Sequence, residues 1–394
     1  MSTTIQIITE ECVYISTSTR VEFEFLVKYA RRMLKDNSND YLATGHVTGI
    51  SRVWEKRDDV VRPFGDIRQG RMNVCSLDLT QDLLLFSDAS ENIKLPLSRL
   101  REPKSELPQR SEFTPYKIDP PPLLDFAIFP PPYKSPSGAV DVLRLALIPP
   151  ILSDFAFQWR HILRSSYRKP TLRRLAEAVV KIATLDFRIE EVSKSNNIFF
   201  GSPYVDVTDQ PLWKLGEDEM FSVGNTTVIV HEDLETAFKI AKEEAASANG
   251  LIQQQNYLLF SVRYLMVAHV DSTGAFSHTA PTVFMDGHTL PSPSAITLLL
   301  QVLLPPWPPH TPIHSLPLEI VDQILLFVSE GPVEAARLGC SLDLGRPFEW
   351  KKELRHKQQG VSIELLQSNS HRSDDTPIES KICFGDEFCG VSYL

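Results

Sequence analysis

TTVIVHEDLETAFKIAKEEAASANG, residues 226–250, changes its periodicity midway. Thr226 to Val230 reads as a strand, Asp233 stands where a carboxylate caps a helix, and an alanine-rich helix follows until Asn249 and Gly250 stop it. NYLLFSVRYLMVAHV (256–270), the turn DSTG (271–274) and FSHTAPTVFMDG (276–287) continue as an antiparallel hairpin. Strand, helix and hairpin without the regular alternation of a doubly wound parallel sheet give an α+β fold class.

Working outward, residues 1–110 read as a β-rich region. Its strands are TIQIITEECVYIS (4–16), RVEFEF (20–25) with Val21, Phe23 and Phe25 on one face, and MNVCSLDL (72–79) and DLLLFSD (82–88) around a turn at Thr80 to Asp82. Only FLVKYARRMLKD (25–36) reads as a helix. The proline-marked, aperiodic segment 101–122 behaves as a linker, which sets a boundary near residue 110.

Residues 111–311 read as a mixed α+β domain. DFAIFPPP (125–132) and VLRLALIPP (142–150) are short apolar runs ended by proline, as expected of strands. SDFAFQWRHILRSSY (153–167) reads as a helix capped by Ser153 or Asp154, with Phe155, Trp159, Ile162 and Leu163 on one face. TLRRLAEAVVKIATLDF (171–187) repeats that pattern with Leu172, Leu175, Ala176, Val179, Ile182 and Ala183. The remainder, 312–394, reads as a small helical segment and a tail.

The chain has 394 residues, 42% hydrophobic, with a net charge of −10, which argues against a surface that tracks nucleic acid or anionic lipid. Its five cysteines, Cys12, Cys75, Cys340, Cys383 and Cys389, are scattered and never paired as CxxC, the usage of a reduced compartment, cytoplasm or nucleus. The first residues lack the features of a secretory signal, and AITLLLQVLLPPWPP (295–309) is broken by Pro305 before it reaches membrane-spanning length.

HSLPLEIVDQILLFVSEGPVEAARLGC (314–340) encodes two short amphipathic helices too small to bury their apolar faces alone. In the first, Pro317 takes the first helical position, Ile320, Ile324, Leu325 and Val328 form a stripe, and Gly331 and Pro332 end it. Leu316, Pro317, Glu319, Ile320, Ile324, Leu325, Val328, Ala336, Leu338 and Cys340 resemble the first half of an F-box, the helical module that docks on the adaptor subunit of a cullin-type ubiquitin ligase. The second half departs from the family: SLDLGRPFEWKKE (341–353) stands where a basic, tryptophan-containing helix is usual, and Trp350 arrives late. The tail and RQGRMNVCSLDLTQDLLLF (68–86) are similar to fungal F-box-like proteins of unassigned function. The resemblance implies an adaptor-facing set of Leu316, Pro317, Ile320, Ile324 and Leu325.

Three other groups are candidates. Pro130, Pro131 and Tyr133 have the PPxY arrangement that WW domains read. Arg160, Arg164, Arg168, Arg173 and Arg174, with Trp159 and Tyr167 interleaved, form a candidate anion-binding patch or the solvated face of two helices. His269 with Asp271, and Asp286 with His288, supply too few convergent ligands for a metal and sit beside turns, where carboxylates bond backbone. No phosphate loop, nucleophile elbow or other catalytic motif appears, so neither a catalytic residue nor a cofactor is nominated. The reading is an intracellular interaction protein that tethers a client to a ligase adaptor. The alternative is an enzyme or small-molecule binder on the α+β body with residues 316–340 in its core. The two differ on whether Ile320 and Ile324 are wet or dry.

Overall fold

The alternating residues near the N-terminus build an antiparallel pair, β1 (Ser2–Ile8) and β2 (Val13–Thr19). The structure, a computed structural model, describes residues 2–19, 22–35, 46–47, 50–51, 54–59, 73–87, 91–102, 106–116, 142–163, 167–193, 211, 213, 218–247, 255–271, 274–303, 311–358, 361–368 and 378–393. The chain divides into two units. One comprises Met1–Leu123, Arg164–Thr171 and Asp206–Gln210, the other Leu124–Leu163, Leu172–Val205 and Pro211–Leu394.

In the first unit, β3 (His46–Val47) and β4 (Ile50–Ser51) make a short separate pair. Strands β5 (Glu55–Arg57), β6 (Asn73–Asp78), β7 (Leu83–Ser87), β8 (Asn92–Pro96) and β9 (Thr114–Pro115) join β1 and β2 in a sheet of order β5-β2-β1-β6-β7-β8-β9. The β6–β7 turn falls at the expected residues because Asp78 Oδ1 accepts from the backbone N–H groups of Thr80 and Gln81, at 3.0 and 2.9 Å. Helix α1 (Phe23–Lys35) lays Leu26, Val27, Ala30 and Met33 on Ile5, Ile7, Cys75 and Phe86 of one sheet face, and the short α2 (Leu97–Arg101) adds Leu97 and Leu100. Here the strand reading of RVEFEF is corrected. Phe23 and Phe25 belong to the first turn of α1, where Phe23 meets Phe86 and Phe113 edge-on at 5.0 Å and Phe25 is exposed. The 3–4 spacing from Leu26 to Met33 outweighs two residues of alternation.

In the second unit, VLRLALIPP is also corrected from strand to helix. It opens α3 (Val142–Gln158), which runs through Pro149 and Pro150 and absorbs the first part of the helix expected from Ser153; α4 (Arg160–Leu163) follows. An interior proline costs about 3 kcal/mol. Leu147, Ile148, Ile151, Leu152 and Phe155, all fully buried, offset that cost. Helix α5 (Lys169–Ala183) packs Leu175, Ala176, Val179, Ile182 and Ala183 inside and leads into β10 (Arg188–Ser193).

Residues 226–247 fold as strand and capped helix, as expected, while the stop expected at Asn249 and Gly250 lies outside the described residues. β12 (Thr226–Val230), α6 (Leu234–Ser247) and β13 (Gln255–Phe260) form a β-α-β crossover, with β12 and β13 parallel. Asp233 caps α6, accepting from the N–H groups of Glu235 and Thr236 at 3.1 and 3.0 Å. β11 (Met220–Val223), β14 (Tyr264–Val270), β15 (Phe276–His278) and β16 (Thr282–Val283) complete the sheet antiparallel to their neighbours. The long strand read over 256–270 is two strands, broken at Val262, whose φ is 66°. Helix α7 (Pro293–Leu303) abuts this sheet, where Thr226 Oγ1 donates to Val302 O.

Beyond it stand α8 (Leu318–Val328) and α9 (Pro332–Leu342). The tail adds strands: a hairpin of β17 (Trp350–Gln358) and β18 (Val361–Ser368), and β19 (Ile378–Phe384) with β20 (Glu387–Tyr393), which complete a β10-β19-β20 sheet. Trp159 Nε1 donates to Cys389 O at 2.8 Å, and Trp213 meets Trp159 and Phe384 edge-on, closing an aromatic core.

Candidate functional site

Pro317 caps α8, and Leu318 is its first helical residue. All but three residues of α8 are apolar, the exceptions being Glu319, Asp322 and Gln323. A helix apolar all round belongs inside a protein. This one has only one face inside: Val321 is 2% and Leu325 7% exposed, packed on Ala335 and Leu344. Ile320, Ile324 and Phe327, spaced i, i+4, i+7, make a second stripe turned outward. Ile320 is 42% and Phe327 90% exposed, while Ile324 is half-buried. Leu316, Leu318, Leu326 and Val328 are exposed around it.

Helix α9 holds this face in position. Pro332 occupies its first turn, which needs no N–H from that residue, and Asp343 in the left-handed region closes its end. Val333 and Cys340 are buried, and Arg144 Nε of α3 donates to Cys340 O at 3.2 Å. Arg337 donates through Nη1 to Leu185 O and makes a two-point ion pair with Glu334, which holds its guanidinium pKa above the ordinary value. On the other side of α8, Arg346 pairs with Glu319 and Asp322 and fastens the segment after α9. Between α8, α9 and that segment lies an open cleft of about 510 Å³, lined by Leu325, Leu326, Ala335, Cys340, Leu344 and Phe348 among others.

The residues expected to face an adaptor therefore separate. Leu316, Pro317 and Ile320 are exposed and Ile324 is at the margin, but Leu325 is turned into the core with Val321. The stripe drawn from Ile320 to Val328 mixed two faces, because Leu325 lies about 100° from Ile324 around the helix. Helix α8 also ends at Val328, before Gly331, and Pro332 begins α9 rather than ending α8. Phe327, the most exposed large apolar side chain among the described residues, was missed; its place seven residues after Ile320 was the available signal.

Pro130, Pro131, Tyr133 and Arg164 lie outside the described residues. The other four arginines are engaged by the chain itself. In the first unit Arg168 donates to Thr9 O and Glu10 O. In the second, Arg160 is buried, donates to Phe157 O and lies 3.9 Å over the Phe157 ring. Arg173 pairs with Glu219, and Arg174 donates to Pro211 O. His269 Nδ1 bonds Asn256 Oδ1, and Asp286 accepts from the N–H groups of His288 and Thr289. Burial raises the Asp286 carboxyl pKa, but those N–H groups and the Thr289 hydroxyl outweigh it and hold the value below its ordinary range. Among the described residues no three His, Cys, Asp or Glu side chains are grouped to hold a metal ion, and no helix is long and apolar enough to cross a membrane.

Compared with known proteins, the chain matches no family model, no curated protein and no solved structure.

Proposed function

We propose that this chain is a non-enzymatic interaction protein that docks a partner on the outward face of α8. On the F-box resemblance, that partner is the adaptor subunit of a cullin-type ubiquitin ligase, and the α+β body is left to hold a client. The observation that carries this reading is the outward stripe of Ile320, Ile324 and Phe327 on a helix whose opposite face already fills a core. Covering Phe327 alone contributes about 2 kcal/mol. Because α9, on which Val321 and Leu325 of α8 pack, is anchored to α3 and to Leu185, the helix that carries the stripe is already held before a partner arrives. An enzyme or small-molecule reading requires a dry stripe and an enclosed pocket with convergent polar groups. Here Ile320 and Phe327 are wet and the adjoining cleft is open.

The test is capture of the adaptor subunit by the full chain and by an Ile320→Asp, Phe327→Asp variant, with circular dichroism on both. Capture lost with an unchanged spectrum is the expected result. Failure of the intact chain to capture the adaptor sinks the ligase reading.

A further inference from the structure

We infer that Thr114 is a phosphorylation site for a proline-directed protein kinase, and that Lys94 receives the phosphate once it is attached. The inference is independent of the docking reading. Its sequence basis is TPYK, residues 114–117. A kinase of this class seats the residue after the accepting hydroxyl where a backbone N–H would find no acceptor, so proline, which lacks that group, is preferred there. An acidic subsite takes a cation two residues further on. Of the six Ser-Pro and Thr-Pro pairs in the chain, only Thr114-Pro115 has a lysine or arginine, Lys117, in that place.

The fold presents the residue as an extended, exposed strand. Thr114 and Pro115 are β9, which ends the seven-stranded sheet and among the described residues pairs only with β8. Its outer side is open to another chain. Buried Phe113, edge-on to Phe23, holds one end, and the Tyr116 N–H, donating to Asn92 O at 2.7 Å, holds the other. The Thr114 hydroxyl makes one long bond, to Lys94 O at 3.4 Å. In the transfer, Oγ1 forms a bond to the γ-phosphorus of ATP while the bond from that phosphorus to its bridging oxygen breaks; ADP leaves, and the hydroxyl proton passes to the aspartate of the kinase catalytic loop. The product carries a charge of about −1.5 to −2. Lys94 stands directly opposite Thr114 in the ladder, its Nζ now 5.7 Å from the centre of the Tyr116 ring, and reaches the new anion from the same face of the sheet.

The experiment incubates the full chain with a cyclin-dependent kinase and ATP and locates phosphate by mass spectrometry. Thr114 should be modified ahead of Ser292 and Thr311, the other Ser-Pro and Thr-Pro hydroxyls among the described residues. Thr114→Val should abolish the signal, Thr114→Ser should keep it, and Lys117→Ala should slow it several-fold. No phosphate at Thr114, earlier modification of Ser292 or Thr311, or indifference to Lys117→Ala overturns the site. Phosphorus NMR of the modified chain then tests the pairing: the phosphate pKa, ordinarily about 6, should lie lower in the parent than in Lys94→Ala. Equal values overturn the role of Lys94.

Discussion

Gly331, at the turn between α8 and α9, sits directly on the side chain of Glu191 in β10: a Cβ at 331 would lie 2.2 Å from the Glu191 carboxyl carbon. The backbone there is extended, with φ −173°, so any residue could adopt it. Glycine matters here only through the close approach, which a larger residue would relieve by displacing the Glu191 side chain. Glu191 is in turn fixed by Ser380, whose hydroxyl donates to Oε2 at 2.6 Å.

Gly331→Ala should therefore push the Glu191 side chain aside and break its bond to Ser380, a loss of about 1 kcal/mol. Glu191→Ala in the same chain should add little to that loss, since the two changes remove one bond. Thermal unfolding of the four members of the cycle measures the coupling, and simple additivity would mean that the contact is not the cause.

Two residues of α8, two apart in sequence, should respond oppositely. Leu325→Ala removes a buried side chain and should cost about 2–5 kcal/mol. Phe327→Ala removes an exposed one and should change stability by no more than about 0.5 kcal/mol, while abolishing partner capture. Urea unfolding separates the two; an equal cost at both positions would show Phe327 to be covered.

Asp233 gives one element of acid sensitivity. Burial raises its pKa, but the Thr236 hydroxyl and the N–H groups of Thr236 and Glu235 lower it more, so the net value lies below that of an ordinary aspartate. A carboxylate with a depressed folded pKa stabilises above its unfolded pKa and loses that contribution as pH falls through the folded value. Asp233→Ala should cost about 1 kcal/mol at neutral pH. The gap to the parent should narrow in acid, which unfolding curves at stepped pH would reveal.

The thiols should be inert until the chain opens. All five cysteines are buried, and burial pushes Cys75 up to about 12 and Cys389 further still. Iodoacetamide at mildly alkaline pH should modify none of them in the native protein and all five in denaturant, because the thiolate is the reacting form. Mass spectrometry counts the adducts, and rapid native labelling at Cys75 would contradict its burial.

Much of the framework was legible where local chemistry and burial agree. Asp78 and Asp233 use their carboxylates as turn and cap, and the β-branched run at 226–230 is buried along its whole length. The misreadings occur where tertiary burial overrides a local sign. Pro149 and Pro150 mark an end by their chemistry, yet α3 continues because the residues around them fill the core. Sequence also could not divide the apolar residues of α8 between inside and outside, since that depends on which side α9 and Leu344 take. The tail strands carried a readable sign: Gly385 and Asp386 form the two-residue turn between β19 and β20, with Gly385 at φ 62°.

The pairing of β10 with β19, together with the reach of Trp159 to Cys389 across 230 residues, has a consequence in time. At about 5–20 residues per second, a ribosome needs on the order of 10–50 s to deliver the strands that close the aromatic core once its first tryptophan has emerged. Loop closure over such a distance is entropically costly before any contact repays it. Through that interval α3 and the rings of Trp159 and Trp213 lack their last covering strands, which makes the nascent second unit a natural client of chaperones.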